Sequence, residues 1–225
     1  MPTSTVEDYL KCIFLEQQRD PEALVSMRQI STALSLAPGT VTAMVKTLAD
    51  SNLVTYEPYS GVRLTPSGRQ LALHVLRRHR LIELFLVQVM GMNWSEVHAE
   101  AEELEHAVSD RLIERMDDML GYPSADPHGD PIPDIHGVVE EVVLPSLLVC
   151  EVAVPLRVAR VGDQSPEFLQ LLEKRDLKPG SPVRVESRDE AADAVELRLD
   201  SGERMTLGAR AASKIFVEPP TPASR

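Results

Sequence analysis

Apolar residues recur three and four positions apart through the first half of the chain and two apart through its last third, so a helical part precedes a β part. Val6, Leu10, Ile13 and Phe14 predict an amphipathic helix near 4–18, with Asp8 and Lys11 off its apolar stripe. Ser26-Met27-Arg28-Gln29 reads as a capping box opening a second helix through Ile30 and Leu34. After a turn near Ser35, Pro38 suits a first helical position, and Val41, Met44, Val45 and Leu48 give a third helix its buried stripe. Leu53 to Tyr56 and Val62 to Leu64, around Pro58-Tyr59-Ser60-Gly61, predict a β-hairpin. Thr65-Pro66 then opens a long helix carrying Leu71, Val75, Leu76, His79, Ile82, Glu83 and Leu86. Beyond Gly91 an acidic helix is expected from about Ser95, a shorter one over 109–120, and an irregular proline-rich segment over 121–137.

From Val152 onward short alternating runs predict strands at 152–154, 158–161, 183–185, 195–199, 205–207 and 215–217, punctuated by glycines and interrupted by one helix near 166–175. The expected class is α+β. The boundaries read as a winged helix-turn-helix over 1–73, an all-α domain over 74–140 and a linker over 141–151. A small compact barrel over 152–218 and a disordered tail over 219–225 complete the chain.

Composition changes this picture in two ways. The net charge of -12 is unevenly placed. Residues 1–80 hold 9 Lys/Arg against 7 Asp/Glu, whereas residues 81–145 hold 2 against 15. The first part tolerates a polyanion and the middle part attracts cations. The two cysteines, Cys12 and Cys150, are far apart in apolar surroundings, which fits buried thiols in a reducing, cytoplasmic setting. The first residues do not read as a signal peptide. Pro145 and Glu151 break the apolar run from Val142 to Val154, so no membrane partner is expected.

Two helices, a short turn and a hairpin are the order of a DNA-binding winged helix, whose second turn-flanking helix enters the major groove. Opposite the apolar stripe of the third helix lie Thr40, Thr42, Ala43, Lys46 and Thr47, small or hydroxylated side chains with one cation. They suit close approach, thymine-methyl contacts and shape readout more than bidentate base recognition. Arg28, with Tyr59, Ser60 and Arg63 in the wing, are the expected phosphate contacts.

The acidic helix carries the candidate chemistry. At about 100° per residue, His98, Glu102, Glu105 and His106 share one face of a continuous helix, and His79 and Glu83 stand one turn apart. Either this is a solvated acidic face or it is a metal site. A carboxylate-bridged di-metal oxidase would need two Glu-x-x-His elements, and only Glu103-Leu104-Glu105-His106 supplies one. No H-E-x-x-H and no nucleophile pairing occur, so neither an enzyme nor a small-molecule substrate is expected. His74, His128 and His136 read as surface or packing residues, and Trp94 as a core anchor.

With these segments in view, the chain resembles the diphtheria toxin repressor family of metal-dependent transcriptional regulators. The resemblance rests on Val6 to Leu10, Pro38 to Lys46, Leu64 to Gly68, Arg78 to Glu83, Val97 to His106 and Gly129 to Pro133. Pro166 to Leu169 and Leu177 to Gly180 extend it into the barrel, which the resemblance implies to be SH3-like (FeoA-like), with 74–140 the metal-binding and dimerisation domain. It implies a homodimer that binds Mn2+ or Fe2+ and then a palindromic double-stranded operator. The implied primary site is Asp8, Glu102, Glu105 and His106, and the ancillary site is His79, Glu83 and His98, with Glu167 or Gln164 as the barrel's candidate ligand. Iron-type members carry methionine and cysteine where this chain has Asp8 and Glu102. Oxygen in place of sulfur suits Mn2+, with iron-responsive repression the alternative. Lys11 stands where two-metal manganese members carry a second carboxylate, which argues against that geometry.

Overall fold

The computed structural model of the chain describes residues 3–139 and 142–220. Eight helices and seven strands are described there: α1 Ser4–Arg19, α2 Met27–Ala33, α3 Pro38–Asp50, β1 Val54–Glu57, β2 Gly61–Leu64, α4 Pro66–Gln88, α5 Val97–Leu104, α6 Asp110–Met119, β3 Leu156–Val161, α7 Pro166–Glu173, β4 Pro182–Asp189, β5 Ala194–Leu199, β6 Arg204–Gly208, α8 Ala209–Ala212 and β7 Ile215–Glu218. They form two compact units. The first comprises Met1–His79, Glu103–Ile113 and Pro133–Val139, and the second Arg80–Glu102, Glu114–Ile132 and Glu140–Arg225. The expected linker falls partly, and the expected tail mostly, outside the described residues.

The first unit is a winged helix. Tyr9, Leu10, Ile13 and Phe14 of α1, Ile30 of α2, Val41, Val45 and Leu48 of α3 and Leu73 and Leu76 of α4 close one apolar core. The α2 capping box is formed: Ser26 Oγ accepts from the Gln29 amide, and Gln29 Oε1 accepts from the Ser26 amide. β1 and β2 pair antiparallel, Val54 with Leu64 through Glu57 with Gly61, and Val25 bridges Val62 as a third, one-residue partner. A side chain at Gly61 would press within 2.7 Å of the Val25 carbonyl oxygen, so this third pairing is open only to glycine.

The second unit is built around the antiparallel sheet β6-β5-β4-β3-β7. Val158, Val161, Val183, Val185, Val195, Leu197, Ile215 and Val217 from its strands, with Leu169 and Leu172 of α7 and Trp94, form its core. The strand expected at 152–154 is absent. Ala153 takes a left-handed φ of 64°, and only its amide reaches the sheet, donating to the Val185 carbonyl at 2.8 Å. β-propensity without a partner over its full length does not make a strand.

Candidate metal centres

The acidic helix ends earlier than its sequence suggests. α5 stops at Leu104, whose carbonyl accepts from both Ala107 and Val108 at 3.0 Å, and Glu105 and His106 lie in this turn. The single face carrying His98 to His106 is therefore broken. His98 and Glu102 belong to the second unit, Glu105 and His106 to the first. Tertiary bonds to Glu105 and His106 account for the break.

In the first unit Asp8, Glu105 and His106 present ligand atoms within 4.8 Å of one another. His106 Nε2 is 2.8 Å from Asp8 Oδ1 and 3.4 Å from Glu105 Oε1, while His106 Nδ1 is 2.6 Å from Glu7 Oε2. Glu7 was missed by the sequence reading; its place beside Asp8 in the first turn of α1 is the only signal that could have found it. It holds the ring from behind, as outer carboxylates do for metal-bound imidazoles. Burial alone would lower the His106 pKa, but Glu7, Glu105 and Asp8 together raise it above its ordinary value. Burial raises that of Asp8 against the pull of His106 and Lys11, with Glu105 adding repulsion.

Glu105 is wholly buried and engaged at both oxygens: Lys11 Nζ donates to Oε1 at 2.6 Å, and His79 Nδ1 lies 2.6 Å from Oε2. Burial would raise its pKa, yet His79 and Lys11 outweigh burial and hold the carboxyl below the usual range. Lys11, expected off the apolar stripe and hence outside, is buried because it serves this carboxylate. Cys12, the next residue, has its thiol pushed up to about 11 by burial and takes no part as a thiolate.

In the second unit Glu83 of α4 is the hub, buried between two imidazoles. Its Oε1 is 3.1 Å from His98 Nδ1 and its Oε2 is 3.8 Å from His128 Nδ1. Glu102, expected in the primary site, lies with one oxygen 3.7 Å from His98 Nε2. Glu83, Asp126 and His128 form a fully buried ligand group within 4.8 Å. His128, read from sequence as a surface or packing residue, is completely buried and packs on Trp94, ring centroids 5.6 Å apart. Its Nε2 donates to the Trp94 carbonyl at 2.9 Å, which leaves the Nδ1 lone pair facing Glu83 and Asp126. His128 Nδ1 and Asp126 Oδ2 make no hydrogen bond among the described residues. Burial, then Asp130 and Glu83, hold the Asp126 carboxyl well above the usual range. Arg80 Nε stands 3.7 Å from Asp126 Oδ2 and offsets part of its charge. Buried acceptors this close remain costly unless a cation or proton joins them, and donors on one divalent cation at about 2.2 Å stand roughly 3–4 Å apart. The residues fit a metal ion. Gln164 spends its amide on Asp130 Oδ2 at 2.8 Å, and Glu167 is exposed at the start of α7 and in no ligand group among the described residues.

The expected DNA-reading residues all lie in the first unit. Arg28, Thr40, Ala43, Lys46 and Ser60 are exposed, and Thr42 is half-buried with its hydroxyl bonded back to the Pro38 carbonyl. Tyr59 stands fully exposed at the wing tip with φ 67°. Arg63 differs from the expectation: its guanidinium donates to the Pro21 and Glu22 carbonyls, both at 2.7 Å, and so ties the wing to the 20–24 loop.

Three family profiles match: an iron-dependent repressor N-terminal DNA-binding domain over 1–62, its metal-binding and dimerisation domain over 65–134, and a FeoA domain over 146–219. The HTH-type transcriptional regulator MntR of Geobacillus thermodenitrificans is 36% identical over 122 residues, 54% of this chain and 84% of that protein. The diphtheria toxin repressor of Corynebacterium diphtheriae is 30% identical over 197 residues, 82% of this chain and 85% of that protein. A manganese-dependent transcriptional repressor solved in complex with manganese superposes with TM-score 0.83 and 39% identity, covering 94% of this chain and 98% of the other.

Proposed function

The chain belongs to the iron-dependent, or diphtheria toxin, repressor family, and from that premise we propose that it is a manganese-responsive repressor acting on palindromic operator DNA as a homodimer. It is a metal-dependent transcriptional regulator and not an enzyme. The observation that carries the manganese reading is the donor chemistry. Asp8, Glu105 and His106 in one group, and Glu83, Asp126 and His128 in the other, offer oxygen and nitrogen and no sulfur. Hard carboxylate ligands with one imidazole favour Mn2+ over softer, later metals. Iron-responsive repression remains the alternative within the same family. Control of manganese homeostasis in the cytoplasm is the cellular role this reading gives.

We assign Asp8, Glu105 and His106 to the first centre. Glu83 anchors the second, with His98, Asp126 and His128 as its further donors. A bound divalent cation supplies positive charge and several directed bonds. Asp8 is on α1, which packs in the same core as α3, so ligation in the first unit ties the segment 105–106 to the DNA-reading body. A cation shared by Asp8 and Glu105 offsets the repulsion between their carboxylates. The state so favoured places two recognition helices in successive major grooves, about 34–36 Å apart. Lys46 and Arg28 then meet phosphates, and Thr40, Thr42 and Ala43 approach the base edges.

The test is selection of duplexes from a random pool with Mn2+ present, followed by anisotropy titration of the winner with Mn2+, anaerobic Fe2+, Zn2+ or chelator. A two-fold symmetric site, bound far more tightly with Mn2+ than with chelator and insensitive to Mn2+ in Asp8→Ala or Glu105→Ala, is the expected outcome. Equal affinity in chelator would overturn the reading, and a response to Fe2+ alone would transfer it to iron.

A further inference from the structure

The loop that carries Asp126 and His128 is joined to the barrel at the backbone of His128 and Gly129. Val161, the last residue of β3, donates its amide to the His128 carbonyl at 2.9 Å. Gly129 follows with φ 86°, and a Cβ there would fall 2.0 Å from the Ala159 carbonyl oxygen and 2.8 Å from the Arg160 Cα. Neither the conformation nor the space admits a side chain. Asp130 is then gripped from the barrel side: Gln164 Nε2 donates to its Oδ2 at 2.8 Å, and Arg160 Nε is 4.0 Å from its Oδ1. Asp126 Oδ1 closes the loop by accepting from the amides of His128 and Asp130, at 2.8 and 3.0 Å. On its other face the His128 ring rests on Trp94, which is itself part of the barrel core.

Every one of these contacts lies within the second unit, and those made by β3 and Gln164 reach the loop backbone and Asp130 rather than the ligand atoms. We infer that Gly129, Arg160 and Gln164 are positioning residues through which the barrel sets the geometry of the Glu83–Asp126–His128 centre. Metal occupancy of that centre and closure of the 126–130 loop on β3 are therefore one coupled equilibrium. The inference rests on the reading of this centre as a metal site. Through this contact the barrel contributes without donating a ligand: Gln164, a candidate ligand by sequence, works through Asp130. Coupling of this kind is reciprocal, so an ion that binds better when the loop is closed also stabilises the closed loop.

The experiment uses the full chain, calorimetric titration with Mn2+ alone, and hydrogen exchange of the Val161 amide. The wild type is expected to bind one Mn2+ at each of the two centres, and Mn2+ is expected to slow exchange at Val161. In Arg160→Ala/Gln164→Ala, and in Gly129→Ala, binding at the second centre should weaken by about 10–100-fold, the usual effect of removing outer partners of metal ligands. Titration of the Asp8 centre should stay unchanged, and excess Mn2+ should restore Val161 protection. The Arg160/Gln164 pair leaves the backbone unstrained, so the test survives a failure of Gly129→Ala to fold. If both variants keep wild-type affinity at both centres while Val161 loses protection, the barrel does not position the site. Glu83→Ala/His128→Ala separates the two failures. Full stoichiometry in that variant removes the centre itself and the inference with it. Loss of one Mn2+ there, with none lost in the positioning variants, removes the inference alone.

Discussion

Glu105 is the residue on which the first centre turns, because its buried carboxylate already holds a cation. Lys11 occupies one oxygen and His79 the other, so a metal ion must share Glu105 with an ammonium group. Like charges a few ångströms apart in a partly buried site repel by several kcal/mol. Lys11→Met is expected to tighten Mn2+ binding to this centre by about tenfold and to lower the thermal stability of the metal-free chain, because a buried carboxylate loses one of its partners. Calorimetry and melting curves check both; weaker Mn2+ binding would show Lys11 to be a support and not a competitor. His106 adds a pH dependence with a definite sign. Its pKa is raised in the folded, metal-free chain, so its charged contacts with Glu7 and Asp8 stabilise the fold below its ordinary value near 6.5 and are lost as pH rises through the folded value. Mn2+ must displace that proton from Nε2. Affinity at the first centre is therefore expected to rise with pH across this interval and to level off above it, with a proton released in calorimetry. A flat profile from below pH 6.5 upward would contradict the assignment of His106.

At the scale of elements, the structure separates two cations that the sequence treats alike. Lys46 is exposed on α3 and Arg63 is turned onto the 20–24 loop. Lys46→Ala should weaken DNA binding evenly across sequences and reduce the salt slope by about 1. Arg63→Ala should leave the slope unchanged and cost about 1 kcal/mol of stability, the net worth of hydrogen bonds to carbonyls that water can reach. A slope change in Arg63→Ala would return that residue to the phosphate contacts. The winged helix was legible because its signals are local: a capping box at Ser26, proline at the start of α3, and apolar stripes matched to the turn of the helix. The end of α5 was not, because the helical pattern continues through His106 while bonds to Glu7, Asp8, Lys11 and His79, all more than 25 residues away, decide otherwise. His128 was hidden for the same reason. A histidine in a proline-rich stretch looks exposed until Trp94, 34 positions earlier, covers it. The grouping of Asp8 with Glu105 and His106, and of Glu83 with His98, followed from the resemblance; the further neighbours Glu7, Asp126 and His128 did not.

Across the whole molecule the account makes metal and DNA two ligands of one conformational equilibrium. The first centre lies inside the unit that carries α3, and the second inside the unit that carries the barrel. Acidic charge is concentrated in residues 81–145 of the sequence, where 15 Asp/Glu stand against 2 Lys/Arg, while Asp8 brings one ligand from the DNA-reading part of the chain. The most direct test is reciprocity: operator affinity measured with and without Mn2+, and Mn2+ affinity measured with and without operator. The account predicts the same enhancement factor from both directions, about 5–150-fold for a coupling of ordinary size, and a factor of one in Asp8→Ala. A factor of one in the wild type would contradict it.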